Sequence, residues 1–147
     1  MHLTRRTDYG LRLLMLLAVD DAGPLGLADA ANRLNVSANH LAKVAQALVH
    51  AGFIRSVRGR AGGFTLLDKT RTTTVAQFVL ALEPVELAEC FRDDGDCSLV
   101  SACRLQGVLI EANDAFFAAL GRHTLGDLVV RRRAALVRLT TRDDQSS

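Results

Sequence analysis

The only three cysteines of the chain, Cys90, Cys97 and Cys103, fall within fourteen residues in the spacing C-x6-C-x5-C. An odd number of crowded cysteines makes a poor disulfide framework. Thiolates gathered at one point suit a metal centre, and three of them leave a place for a fourth ligand of another kind. The spacing is looser than the C-x2-C pairs of zinc knuckles. Three soft sulfur donors fit iron–sulfur chemistry, zinc or copper(I). The bland alternative is three unrelated thiols near a loop, one of them buried as a small hydrophobe.

Nothing else in the sequence suggests bond-making chemistry. There is no nucleophile–base pair and no paired carboxylates in a credible pocket. Gly62-Gly63 could open a phosphate loop, but no G-K-[ST] follows and both flanks are strand-like. The expectation is a binding protein, not an enzyme.

At 147 residues the chain makes one compact domain or two small interdependent ones. Met1-His2-Leu3-Thr4-Arg5-Arg6 lacks an apolar signal core. The apolar run Leu11–Val19 is too short to span a bilayer. The expectation is a cytoplasmic protein without a membrane partner, its thiols reduced and available for metal.

The net charge of +2 conceals an asymmetry. Residues 1–71 carry ten Lys/Arg against five Asp/Glu, residues 72–130 three against nine, and the tail from Arg131 five against two. A basic first half suits a polyanion such as DNA, and an acidic middle repels one.

The elements that must position these groups follow from periodicity. Thr4 to Val19 has a helical repeat in Leu11, Leu14, Met15 and Ala18, with Thr4 or Thr7 as cap. Asp20-Asp21-Ala22-Gly23-Pro24 ends it. Leu27 to Leu34 forms a second helix, Asn35-Val36 a tight turn, and Ser37 caps a third helix to about His50. Its buried face is Leu41, Val44, Ala45 and Leu48. Two short helices across a three-residue turn make a helix-turn-helix.

Gly52 stops the third helix. Phe53–Val57 and Phe64–Leu67 are then strands of a hairpin around the basic, glycine-rich tip Arg58-Gly59-Arg60-Ala61-Gly62-Gly63. This is the winged-helix order. Thr74 caps a helix over Val75 to Leu82, which Glu83-Pro84 ends. The cysteine loop is irregular, with Asp93-Asp94-Gly95-Asp96 as its turn. Arg104 to Leu120 is amphipathic, with a stripe of Leu105, Val108, Leu109, Ala112, Phe116 and Ala119, while Ile110 and Phe117 lie off it. A helix apolar on two faces needs a second packing partner, which a dimer interface supplies. Thr124 caps a last helix through Leu139.

The fold class is therefore mainly α with a small β-hairpin: a winged helix-turn-helix, a cysteine loop and a long dimerisation helix. The expected organisation is a DNA-binding region at 1–83, a cluster loop at 84–103, dimerisation and C-terminal helices at 104–140, and a disordered tail at 141–147.

The assembled pattern resembles the Rrf family of bacterial winged-helix repressors, and within it the nitric-oxide-sensing iron–sulfur members. The matching segments are Leu3-Thr4 followed by Thr7-Asp8-Tyr9-Gly10-Leu11-Arg12, Val36-Ser37-Ala38-Asn39-His40-Leu41 with Lys43-Val44, Val57-Arg58-Gly59-Arg60-Ala61-Gly62-Gly63, Leu82-Glu83-Pro84, the three cysteines, and Thr124-Leu125-Gly126-Asp127-Leu128. Each is weak alone; their order and spacing over residues 1 to about 130 are specific.

The resemblance implies an iron–sulfur cluster, [4Fe–4S] ahead of [2Fe–2S], held by Cys90, Cys97 and Cys103. It implies a fourth ligand from Asp8 of the partner subunit in a homodimer. By itself Asp8 is also what a helix first turn favours. Family members that hold [2Fe–2S] use a histidine just beyond the third cysteine, and none of His2, His40, His50 and His123 stands there. Iron-responsive members share a similar loop, echoed here by Ala88-Glu89-Cys90-Phe91.

The implied activity is repression of a near-palindromic double-stranded DNA operator, released when nitric oxide attacks the cluster. Ser37, Ala38, Asn39, His40 and Lys43 occupy the end of a recognition helix that enters the major groove. Arg58 and Arg60 suit a minor groove, and Arg5 and Arg6 suit phosphates. Alternatives within the same architecture are an iron- or redox-responsive cluster, a zinc-stapled regulator, or a thiol switch in which Cys90 and Cys97 form a disulfide.

Overall fold

The computed structural model describes residues 3–20, 22–83, 88–92, 95–130 and 133–140. The expected tail at 141–147, His2, Pro84 and the turn residues Asp93 and Asp94 lie outside them. The elements are α1 (Arg5–Val19), α2 (Leu27–Leu34), α3 (Ala38–His50), β1 (Ile54–Val57), β2 (Gly63–Leu66), α4 (Val75–Leu82), α5 (Arg104–Gly121), α6 (Leu125–Val130) and α7 (Arg133–Thr140).

α1 is the centre of the molecule. Leu13, Leu14, Leu16, Leu17, Ala18 and Val19 are all buried, so its buried surface goes well beyond the expected single stripe. It packs against α2, α3, α4, α6, α7 and β2. Gly10 permits the closest approach: a Cβ there would lie 2.5 Å from Leu82 Cδ1 and 3.6 Å from Val44 Cγ1. α1, α3 and α4 thus meet at a residue with no side chain. Thr4 caps the helix, its Oγ1 accepting from Thr7 N at 3.4 Å. Arg71 donates to the carbonyl of Ala18 at 3.0 Å, near the other end.

The helix-turn-helix forms where expected. Asn35 takes the left-handed conformation at φ 54°, which asparagine tolerates better than most residues, and stops α2. The Val36 N–H returns to the Ala31 carbonyl at 3.0 Å. α3 buries Leu41, Val44, Ala45 and Leu48. Ser37 sits at its N-cap but makes no side-chain capping bond. It is exposed, so water can serve the open N–H groups.

The wing is antiparallel, with Ile54 opposite Leu66 and Val57 opposite Gly63. Leu25 and Phe64 exchange backbone hydrogen bonds at 3.0 and 2.9 Å, which ties the hairpin to the segment before α2. Phe78 of α4 is fully buried and meets Phe53 edge-on, ring centroids 4.8 Å apart.

Thr74 and Gln77 form a reciprocal capping box at the start of α4. Thr124 and Asp127 do the same for α6, with Thr124 N donating to Asp127 Oδ2 at 2.8 Å and Asp127 N to Thr124 Oγ1 at 3.2 Å. Leu125 and Val129 of α6 belong to the same core as α1, so the C-terminal part packs on the same core as the N-terminal helices. The last helix, expected to run unbroken through Leu139, is described as α6 and α7 with residues 131–132 outside the described set.

α5 differs from the other long helices: none of its residues is buried. The expected stripe divides. Leu109, Phe116 and Ala119 are half-buried, while Leu105, Val108 and Ala112 face solvent. Leu105 is 61% exposed, Val108 59% and Ile110 44%.

Candidate functional site

Two groups of side chains stand out: a basic face built on α1, α3 and the wing, and the cysteine loop before α5.

On the basic face, burial of Leu41, Val44, Ala45 and Leu48 fixes which side of α3 looks outward. Ser37, Ala38, Asn39, His40 and Lys43 are all exposed. Gly52 at φ 73° turns the chain out of α3, and Phe53 N bonds the Leu48 carbonyl at 3.0 Å, so the hairpin leaves at a fixed point. Arg58 and Arg60 are exposed on either side of Gly59, which at φ 113° makes the turn possible. Arg5 and Arg6 are exposed in the first turn of α1. Arg5, Arg6 and Tyr9 of α1 and His40, Lys43 and Val44 of α3 line one open cleft of about 420 Å³. Sequence reasoning placed its four basic residues on DNA but not together, and it did not see Tyr9.

Asp8 is half-buried on α1 and already has a partner. Its Oδ1 accepts from Arg12 Nε at 2.9 Å and its Oδ2 lies 2.7 Å from an Arg12 terminal nitrogen. The Arg12 guanidinium carbon sits 5.9 Å from the centre of the Tyr9 ring.

Glu83, read from the sequence as a helix end and as part of a family-like segment, makes contacts that the sequence did not announce. Its carboxylate accepts from Thr4 N at 3.0 Å and Thr4 Oγ1 at 2.8 Å, and from the hydroxyl of Thr7, which is fully buried. The end of α4, where the path to the cysteine loop begins, is thereby fastened to the start of α1. The partners are 79 and 76 positions apart, and no local pattern reports such a contact.

Cys90, Cys97 and Cys103 are free thiols, each half-buried. Cys90 lies in the short 3-10 turn Glu89–Phe91, whose carbonyl at Cys90 accepts from Gln106 Nε2 at 3.4 Å. Cys103 is the N-cap of α5. Among the described residues, no three His, Cys, Asp or Glu side chains come together as a metal site. Within one chain the three thiols and Asp8 thus do not form such a group. The donor chemistry fits an iron–sulfur centre: three uncommitted sulfurs, one at a helix start, where open N–H groups favour negative charge.

The model of the family Rrf2, described as iron-dependent transcriptional regulator, matches residues 3–131. The chain belongs to the Rrf2 family. It is 42% identical over 132 residues to the HTH-type transcriptional repressor NsrR of Streptomyces coelicolor, covering 88% of each chain. It is 40% identical over 133 residues to the HTH-type transcriptional regulator NsrR of Shouchella clausii, covering 88% of this chain and 89% of that one. Among solved structures, IscR of T. potens superposes with a TM-score of 0.71 at 24% identity, covering 92% of this chain and 90% of that one, a likeness of fold. As an Rrf2 member with NsrR homologues, the protein is a DNA-binding transcriptional regulator, not an enzyme. No described helix is long and apolar enough to cross a membrane.

Proposed function

We propose that this Rrf2 protein is a homodimeric cytoplasmic repressor that senses nitric oxide through an iron–sulfur cluster, of the [4Fe–4S] type. The observation that carries the reading is the confinement of the chain's three cysteines, all free, to the loop ending at the N-cap of α5. It stands in a chain 42% identical to a repressor named NsrR.

Cys90, Cys97 and Cys103 would hold the cluster, with Asp8 of the partner subunit as the fourth ligand. When bound, the cluster supplies iron that reacts with nitric oxide. The chain's own residues do the rest. Ser37, Ala38 and Asn39 face base edges in the major groove. Arg58 and Arg60 enter the flanking minor groove, and Arg5, Arg6, His40 and Lys43 meet the backbone. Leu105, Val108 and Ile110 of α5 pair across the dimer axis. That sets two recognition helices about 34 Å or a multiple apart, one turn of duplex for each half-site step.

Asp8 is the coupling residue. It lies in the same turn as Arg5 and on the helix that packs directly on α3. A change in what holds Asp8 therefore moves the cations of α1 relative to the recognition helix, which is enough to bias two conformations.

The test is anaerobic purification followed by nitric-oxide titration, with promoter-duplex binding measured on the same sample. A broad thiolate–iron absorbance near about 400 nm is expected. Replacement of any one of the three cysteines by alanine should remove it, and nitric oxide should release DNA. Colourless protein whose DNA binding ignores nitric oxide would replace this reading with a zinc staple, if metal analysis finds zinc, or with a thiol switch, if oxidation links Cys90 to Cys97.

A further inference from the structure

Tyr9 is the only tyrosine of a chain that has no tryptophan, so it is the one strongly oxidisable ring. It is half-buried on α1 and lines the open cleft of about 420 Å³ between α1 and α3. Arg5, Arg6, His40 and Lys43 line the same cleft, and no acidic residue does. Those four are exposed, and none hydrogen-bonds or ion-pairs with a described residue. The Arg12 guanidinium carbon stands a further 5.9 Å from the centre of the Tyr9 ring. An electron-rich phenol is thus held among basic side chains and is reachable from solvent.

A cleft lined by one sign of charge raises the local concentration of small ions of the other sign. The anions that matter for a phenol are those that react with it. Peroxynitrite, formed when nitric oxide combines with superoxide, is such an anion near neutral pH, and it nitrates phenol rings. The charge of the cleft draws it in, and Tyr9 is the group that it can modify there.

We propose that Tyr9 is a nitration site: peroxynitrite gathered by the cationic cleft converts it to 3-nitrotyrosine, and the modified protein can no longer bind DNA. The step balances without a further reagent. Peroxynitrous acid, HOONO, replaces the ring hydrogen ortho to the hydroxyl. The ring C–H bond and the peroxo O–O bond break, a C–N bond forms, and the hydrogen leaves with the hydroxyl fragment as water. The ring is oxidised by two electrons and the peroxo oxygen is reduced. The product carries a bulky nitro group, and a nitrophenol ionises far more readily than a phenol. Its negative charge pairs with the cations that would otherwise meet DNA. A bound duplex covers the cleft and repels the reagent, so nitration marks the protein after release and delays its return. This inference rests on the reading of the α1–α3 face as the DNA-binding face, and adds to it a control that needs no cluster.

The test treats the full chain with peroxynitrite in excess over its thiols, as wild type, Tyr9→Phe and Lys43→Ala, with thermal unfolding as a folding control. Nitration is counted by peptide mass spectrometry against an unstructured tyrosine peptide in the same tube. At low salt Tyr9 should be nitrated several-fold more than the peptide. That excess should shrink with added salt, in Lys43→Ala, and when a mixed-sequence duplex is bound. A yield no higher than the peptide's, or one indifferent to salt, would overturn the role of the cleft. Duplex binding is then compared before and after treatment, each protein against its own untreated affinity. The wild type should lose several-fold more affinity than Tyr9→Phe, whose thiols meet the same oxidant. Dithionite, which reduces the nitro group to an amine, should remove that difference. Equal losses in the two proteins would overturn the block on DNA whatever the nitration yield. Untreated wild type that binds no duplex would overturn the DNA-face reading and the block together, while the yields still decide whether the cleft directs nitration to Tyr9.

Discussion

Asp8 and Arg12 hold each other at two points one helical turn apart, through Nε to Oδ1 at 2.9 Å and a terminal nitrogen to Oδ2 at 2.7 Å. Both side chains are substantially exposed, at 43% and 51%. An exposed i, i+4 pair contributes only about 0.3–0.5 kcal/mol. Asp8 therefore has a partner that is easily exchanged for another.

From this pair the first prediction follows. Asp8→Ala should lower stability by at most about 1 kcal/mol, through removal of the pair and of the helix-dipole charge. If Asp8 also closes the partner's cluster site, the same variant should lose iron faster to a chelator under anaerobic conditions and bind its operator more weakly. Chemical denaturation and the time course of iron release on one preparation check both. A variant with wild-type iron retention and operator affinity would remove Asp8 from the ligand set.

Glu83 supports a second prediction. Its carboxylate satisfies the Thr4 N–H and the hydroxyls of Thr4 and of buried Thr7. Glu83→Ala leaves those donors without it, and hydrogen bonds to a charged group contribute about 1.5–3 kcal/mol. Unfolding in urea should report a loss of that order, with Glu83→Gln retaining part of it. Amide exchange should quicken first in the opening turn of α1.

Much of this architecture was legible because its signals are local. The boundaries of α2 and α4, the buried face of α3, and the Thr4, Thr74 and Thr124 caps each depend on residues within a few positions of one another. The turn at Asn35 follows from one residue's tolerance of positive φ. The rest was not legible because its partners are distant in sequence. Glu83 on Thr4, Arg71 on the Ala18 carbonyl and the α1–α3 cleft arise only when helices pack. α5 fails for another reason. It has two apolar faces, and periodicity cannot say which meets its own chain and which is left for a second one. The cysteine spacing likewise named a donor set without the conformation that gathers it.

Exposure tells the two faces of α5 apart within one chain, and with the proposed dimer it yields a third prediction. Leu105 and Val108 are 61% and 59% exposed, so Leu105→Glu with Val108→Asp removes little packing within one chain. The double variant should keep the wild-type circular dichroism spectrum and unfold within about 1 kcal/mol of a monomeric reference, since exposed substitutions away from special features cost about 0.5 kcal/mol each. In analytical ultracentrifugation it should sediment as a monomer where the wild type is a dimer. Salt-resistant operator binding should disappear with the dimer. A wild type that is monomeric at micromolar concentration would defeat the assignment of α5.

The recognition helix and the wing should fail in different ways. Asn39 is exposed near the start of α3, and a base-edge contact is worth roughly 1–3 kcal/mol of discrimination. Asn39→Ala should therefore relax sequence preference at one position of each half-site while leaving affinity for unrelated duplex nearly unchanged. Arg60 stands on the hairpin tip beside Gly59, outside the proposed recognition helix, so on the proposed reading it would meet the flanking groove or backbone. Arg60→Ala should weaken binding to operator and unrelated duplex alike, and lower the salt slope by about 0.9 for each phosphate it no longer neutralises. Arg58→Ala should do the same if both arginines reach the duplex. Selection from a randomised duplex pool, followed by salt series on the winners, separates the two effects. Unchanged affinity and slope in both arginine variants would take the wing off the DNA, whereas a shifted consensus in Arg60→Ala would make it a base reader.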